Sequence, residues 1–170
     1  MSNRKFEIRP ETLALAVNAL TRCEFRYGKF VFLTGLDEVA VLCGETARSC
    51  GAAAVVFRVT NEDEKKQVEE MGFLAFQPDV DNVKELLADV TQNRKFDIVI
   101  ETTGSLSQYD LLIQLVKRGA CVAAMKAPAE PYYFHVCDVI RDQIHFMGIT
   151  SYDEHSLQTA QRMIASKTLA

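Results

Sequence analysis

Gly35-Leu36-Asp37-Glu38-Val39-Ala40 follows an apolar run, Phe30 to Leu33, and leads into a helix-forming stretch, Val39 to Cys50. A strand, a tight turn and a helix in that order present backbone N–H groups and a helix N-terminus, where a phosphate can sit. The dinucleotide-binding form of this turn reads G-x-G-x-x-G/A. Here Gly35 holds the first position, Ala40 the third, and Asp37 stands where the middle glycine belongs. That glycine lets bare backbone approach a pyrophosphate. Asp37 adds a side chain and a negative charge. Two unit charges about 4 Å apart repel by about 4 kcal/mol at an effective dielectric near 20, a thousandfold effect on affinity in round terms. A carboxylate at a helix N-terminus also accepts orphan N–H groups and complements the helix dipole. Asp37 is therefore expected to cap its own helix in the place a phosphate would fill. Glu38 adds charge to the turn or faces solvent.

The elements that position this turn are legible along the chain. Pro10 opens a helical pattern with Leu13, Val17 and Leu20 on one face, ending near Arg22. Phe30 to Thr34 has the continuous apolar character of a buried parallel strand. Val39 to Cys50 is helical and Gly51 ends it. Ala53 to Val59 is a strand. Asn61 caps a helix from Glu62 to Met71, stopped by Gly72, and Phe73 to Phe76 is a short strand. Val80 to Val90 is helical, Phe96 to Glu101 a strand, Gln108 to Arg118 a helix ended by Gly119, and Cys121 to Met125 a strand. After the loop Ala127 to Pro131 come a short helix from Phe134 to Arg141, a strand from Ile144 to Ile149 and a helix from Asp153 to Ser166. Strands alternating with helices predict an α/β fold: a three-layer, doubly wound parallel sheet of the Rossmann kind, with about six strands. Residues 1–28 read as an N-terminal helical segment and 29–170 as the sheet proper, one domain in all.

Composition narrows the function. A chain of 170 residues with 48% apolar content can bury a real core. A net charge of −4, a pI near 5.4 and scattered Lys and Arg argue against nucleic acid or a membrane surface. No stretch approaches the roughly 18 apolar residues of a membrane span. Met1 to Pro10 lacks the apolar core of a secretory signal, so a cytoplasmic location is expected. Cys23, Cys43, Cys50, Cys121 and Cys137 are odd in number and form no CxxC pair. They read as buried, reduced thiols rather than a disulfide framework or a zinc knuckle.

Three segments carry a family resemblance. Glu11-Thr12-Leu13-Ala14-Leu15-Ala16-Val17-Asn18-Ala19-Leu20 is similar to E-P-L-A-V-A-L-H-A-L, the interdomain helix of medium-chain, zinc-type alcohol dehydrogenases. Phe96-Asp97-Ile98-Val99-Ile100-Glu101-Thr102-Thr103-Gly104 is similar to their fourth strand, D-V-V-I-E-A-T-G. Tyr152 to Lys167 resembles their last helix, with Ile164-Ala165-Ser166-Lys167 near an L-A-S-G-K ending. Their order and spacing point to the cofactor domain of the sorbitol and threonine dehydrogenase branch, from about Glu11 to Ala165. The zinc ligands of that family lie mainly in a barrel-like domain that this sequence lacks. Glu11 matches an acidic residue near the zinc, and Asn18 stands for a histidine. His135, His145 and His155 have no ligand spacing, so no zinc is expected in this chain.

The resemblance also assigns the cofactor loops. The family closes its second strand with an acidic residue that binds the adenosine ribose; the matching position is Val59, which cannot accept a hydrogen bond. The lost charge-assisted bond is worth about 1.5–3 kcal/mol. Arg58 before it could meet a 2′-phosphate, as in NADP-type sites. Thr102, Thr103, Met125 and Lys126 follow the fourth and fifth strands, where the family touches ribose and nicotinamide. The candidate site for NAD or NADP is thus Gly35, Leu36, Asp37, Glu38, Val39, Arg58, Val59, Thr102, Thr103, Met125 and Lys126, with two anchors replaced.

Other chemistries find no support. No Tyr has a Lys four residues on, as short-chain dehydrogenases require; Tyr27, Tyr109, Tyr132, Tyr133 and Tyr152 all fail. There is no G-x-x-x-x-G-K-[ST] loop and no G-x-S-x-G elbow. Methyltransferases that use S-adenosylmethionine share the winding and suit an acidic first turn, but lack of an acidic residue after the second strand counts against them. Ile144-His145-Phe146-Met147-Gly148-Ile149 is apolar and expected at a sheet edge, where it invites a second chain. In the resembled family the matching strand pairs across a dimer two-fold. Two readings follow: a non-catalytic module that dimerises or binds a protein partner through that strand, and the NAD(P)-binding portion of a polyol- or threonine-type dehydrogenase.

Overall fold

The structure is a computed structural model that describes residues 6–131 and 136–169. Helix α1 (Pro10–Arg22) carries proline in its first turn. The remaining elements are β1 (Phe30–Leu33), α2 (Glu38–Ser49), β2 (Ala54–Arg58), α3 (Glu62–Glu70), β3 (Leu74–Phe76), α4 (Val83–Thr91), β4 (Phe96–Glu101), α5 (Leu106–Leu115), β5 (Val116–Ala124), α6 (Val136–Arg141), β6 (His145–Gly148) and α7 (Glu154–Ala165). All strand pairs are parallel, in the order β3-β2-β1-β4-β5-β6. This is the doubly wound Rossmann order, reversing between β1 and β4.

Alternation along the strands divides the core. Val31, Leu33, Val55, Phe57, Ile98 and Ile100 face one layer with α1, α2 and α7. Phe30, Phe32, Val56, Phe96 and Val99 face the other with Leu87 of α4 and Leu112 and Leu115 of α5. On that second face Phe32 lies 5.2 Å from Phe96 and 6.2 Å from Phe76, ring centre to ring centre. Helix α1 packs on α2 and α7, and its apolar stripe belongs to the first layer.

Local rules account for most boundaries. Asn61, Asn82 and Asp153 each cap a helix by accepting from a backbone N–H. Gly51 and Gly72 end α2 and α3 with φ of +84° and +75°. Two boundaries differ from the periodicity. Val80 stays in an exposed turn, and α4 waits for the Asn82 cap. The chain from Val116 to Arg118 is extended, not helical; β5 begins there and bulges before Cys121, with Gly119 at φ +74°. The extension carries Lys117 to buried Asp97, while the Gly119 N–H donates to the Asp142 carbonyl at 2.8 Å. A helical face of Leu112, Leu115 and Val116 hides this, because a non-local ion pair has no local pattern.

The cysteines are not uniformly buried. Cys23, Cys43 and Cys121 are, but Cys50 and Cys137 are exposed. Tyr132, Tyr133, Phe134 and His135 lie outside the described residues.

Candidate functional site

The carboxyl ends of β2, β1, β4 and β5 lie in a row, and the loops leaving them hold the expected site. Asp37 sits at the N-cap of α2 with extended backbone, and its Oδ1 accepts from the Ala40 N–H at 2.9 Å. The expected self-cap is therefore present. Glu38 is engaged elsewhere: its Oε2 takes a 2.7 Å bond from Arg9 of the segment before α1. Between α1 and α2 a cavity of about 370 Å³ is bordered by Arg9, Glu11, Thr12, Asp37, Glu38 and Val39.

Gly35 is needed for close approach. A Cβ there would collide with Thr102 Oγ1 and lie 3.3 Å from Thr103 Cγ2. The β1 and β4 loops thus touch through a bare backbone. Likewise Gly104, at φ +66°, lies so that a Cβ would meet the Ala127 carbonyl oxygen at 3.0 Å. These contacts bring Gly35, Thr102, Thr103 and the Met125–Lys126 segment together. The Met125 N–H donates to the Glu101 carbonyl at 2.7 Å, whereas the Lys126 side chain is exposed.

Glu101, at the end of β4, organises the cluster. It is inaccessible to solvent, and its Oε1 accepts from Thr103 N–H at 2.7 Å, Thr103 Oγ1–H at 2.5 Å and Gly104 N–H at 2.8 Å. One carboxylate oxygen thereby ties the whole β4 turn. Burial, and then the Glu101 carboxylate, push the Tyr109 phenol above its ordinary range. The signal in the sequence is a Glu at the end of an all-apolar strand, followed directly by Thr-Thr-Gly. A charge in that position needs several donors, and a turn supplies them.

Val59 lies just past β2, fully buried, with its N–H donating to the Phe76 carbonyl at 2.8 Å. Its side chain carries no acceptor. Arg58 beside it is half-buried, and its Nε has no hydrogen-bond partner among the described residues. Thr102 Oγ1 is likewise buried and unpartnered. Arg58 and Thr102 leave polar groups that a ligand could satisfy.

Asn18 Nδ2–H donates to the Ser151 carbonyl at 2.7 Å, Glu11 is exposed, and His145 and His155 are exposed. Among the described residues no group of three or more His, Cys, Asp or Glu could hold a metal ion. No helix among them is long and apolar enough to cross a membrane.

The sequence profile of zinc-binding dehydrogenases matches residues 39–166, three quarters of the chain. The chain belongs to that family. It is similar to a sorbitol dehydrogenase of Halalkalibacterium halodurans, 23% identical over 160 residues, covering 92% of this chain and 47% of that protein. It is also similar to an L-threonine 3-dehydrogenase of Burkholderia ambifaria, 24% identical over 139 residues, covering 81% of this chain and 40% of that one. In fold it resembles a zinc-binding dehydrogenase from Sinorhizobium meliloti 1021 solved with NADP bound, with a TM-score of 0.83 at 20% identity over 95% of this chain and 48% of that one. The chain therefore spans about half the length of the relatives it matches. Within the family the resemblance is to the NAD(P)-binding part of polyol- and threonine-type enzymes.

Proposed function

We propose that this chain is a Rossmann domain of the zinc-binding dehydrogenase family used for partner binding, with its first turn closed to a dinucleotide pyrophosphate by Asp37. The carrying observation is the 2.9 Å bond from the Ala40 N–H to Asp37 Oδ1. It consumes a donor that would otherwise face a phosphate and puts negative charge at the helix N-terminus. Fully buried Val59 at the ribose position acts in the same direction.

The partner in this reading is a second copy of the chain, paired through β6. Among the described residues no strand lies beyond β6. The Ile149 N–H points inward to the Ala124 carbonyl, so alternation turns the N–H groups of Phe146 and Gly148 outward. The strand carries no Lys or Pro to block pairing. Val136 and Ile140, one turn apart on the preceding α6, are 60% and 71% exposed and widen the apolar surface. The odd, widely spaced cysteines support a reducing, cytoplasmic location.

One observation favours a second reading, the NAD(P)-binding portion of a polyol- or threonine-type dehydrogenase. Arg58 Nε is buried without a partner at the end of β2, where a 2′-phosphate would seat. Titration with NADH and NADPH, followed by nicotinamide fluorescence and melting temperature, separates the two. The first reading expects no binding or thermal shift at millimolar cofactor, with a dimer in sedimentation. Micromolar binding of either cofactor overturns it, and a preference for NADPH implicates Arg58.

A further inference from the structure

The sheet's other end holds a cluster that the cofactor loops do not use. Cys23 closes α1, Cys121 lies in β5, and their sulfurs are 2.8 Å apart although 98 residues separate them in the chain. Both side chains are buried, at 5% and 6% exposure. A disulfide bond needs about 2.05 Å, so closure requires a movement of under ~1 Å. Beside the pair is a cavity of about 110 Å³ bordered by Arg22, Lys29, Asp97 and His145 as well as both cysteines. That is room for a molecule the size of hydrogen peroxide.

We propose that Cys23 and Cys121 form a reversible, peroxide-driven disulfide that clamps the end of helix α1 to strand β5. The chemistry needs one oxidant, a hydroperoxide. One sulfur of the pair, as its thiolate, attacks the peroxide: an S–O bond forms, the O–O bond breaks, and the leaving oxygen takes up the thiol proton as water or an alcohol. The other sulfur then attacks the sulfenic sulfur: the S–S bond forms, the S–O bond breaks, and water leaves with the second thiol proton. The two sulfurs lose two electrons and the peroxide gains them.

The two thiols share one hydrogen bond, the Cys121 S–H donating to Cys23 Sγ. Either sulfur can open the reaction, and the other resolves it. Cys43 is also buried, but it takes no part in the pair and burial pushes its thiol up. Cys50 and Cys137 are exposed competitors.

The test is peptide mapping without reduction after the reduced chain meets one equivalent of hydrogen peroxide. The expected product is a Cys23–Cys121 cross-link, a mass decrease of about 2 Da for two hydrogens lost, and full reversal by dithiothreitol. Closing so long a loop should raise the melting temperature on the order of 10 °C. The doubly substituted C50S/C137S chain keeps the pair's surroundings intact and should give the same cross-link. Cys121→Ser and Cys23→Ser should each abolish it. Oxidation confined to Cys50 and Cys137 in the parent chain, with Cys23 and Cys121 still reduced in C50S/C137S, overturns the proposal.

Discussion

Replacing Asp37 separates its two roles, cap and charge. Its Oδ1 holds the Ala40 N–H at 2.9 Å, and the side chain is exposed. Asp37→Asn keeps an acceptor of equal capping rank and removes the charge. Asp37→Gly removes both, which costs a few tenths of a kcal/mol for the cap and about 0.3–1 kcal/mol for the dipole interaction. The melting temperature should therefore fall by no more than roughly 5 °C in either variant. The effect on a dinucleotide is larger. A charge about 4 Å from a phosphate opposes it by about 4 kcal/mol at a dielectric of 20 and about 1 kcal/mol in bulk water. Because Asp37 is exposed, the gain on neutralising it lies between those limits, from about fivefold to about a thousandfold in affinity. NADH titrations of the parent, Asp37→Asn and Asp37→Gly measure it by fluorescence. If the gain is electrostatic, both variants improve by similar factors; if bare backbone is also needed, glycine improves further. No gain in Asp37→Gly would refute the argument that this carboxylate closes the turn, since both the charge and the side chain are then gone.

Three other perturbations probe the rest of the fold. Gly35→Ala should destabilise the domain by about 1–3 kcal/mol, because the new Cβ collides with Thr102 Oγ1; thermal melts should show Gly35→Ala with Thr102→Ala to be less damaging than the sum of the two. Asp97 binds Lys117 and Lys29 and accepts from the Phe30 N–H at 2.8 Å; burial raises its pKa, but these partners outweigh it and set the net shift downward. Its contribution is therefore present at neutral pH and lost as pH falls from about 4 through its lowered folded value. Asp97→Asn should cost about 1–3 kcal/mol at pH 7, and denaturant melts should converge with the parent in acid. Gly148→Pro removes an outward N–H of β6 without touching the ladder to β5, so sedimentation should show a dimer dissociating while the melting temperature holds.

Much of the architecture was legible because its causes are local. Phe30 to Leu33 reads as a buried parallel strand, since a central strand covered on both faces must be apolar throughout. Asn61 and Asp153 mark their helix starts by side-chain capping, and Gly51 and Gly72 mark the ends by positive φ. The Asp37 cap belongs to the same class: donor and acceptor are three residues apart, so the bond could be read from spacing alone. Lys117 lies in a helical pattern, but Asp97, 20 residues earlier on the neighbouring strand, holds it extended.

By itself the sequence determined the winding and the Asp37 cap of the first turn, because each follows from residue type and short-range spacing. Only the tertiary structure decided which distant groups meet. Glu101 gathers the Thr103 and Gly104 donors only once β4 is sealed inside the sheet, where its charge has no water to turn to. Gly35 shows its necessity only when the β4 loop presses against it. Cys23 and Cys121 become a pair only when α1 packs across the end of β5. Contacts between residues far apart in sequence depend on the register of the sheet and the packing of its helices, and no local pattern encodes them.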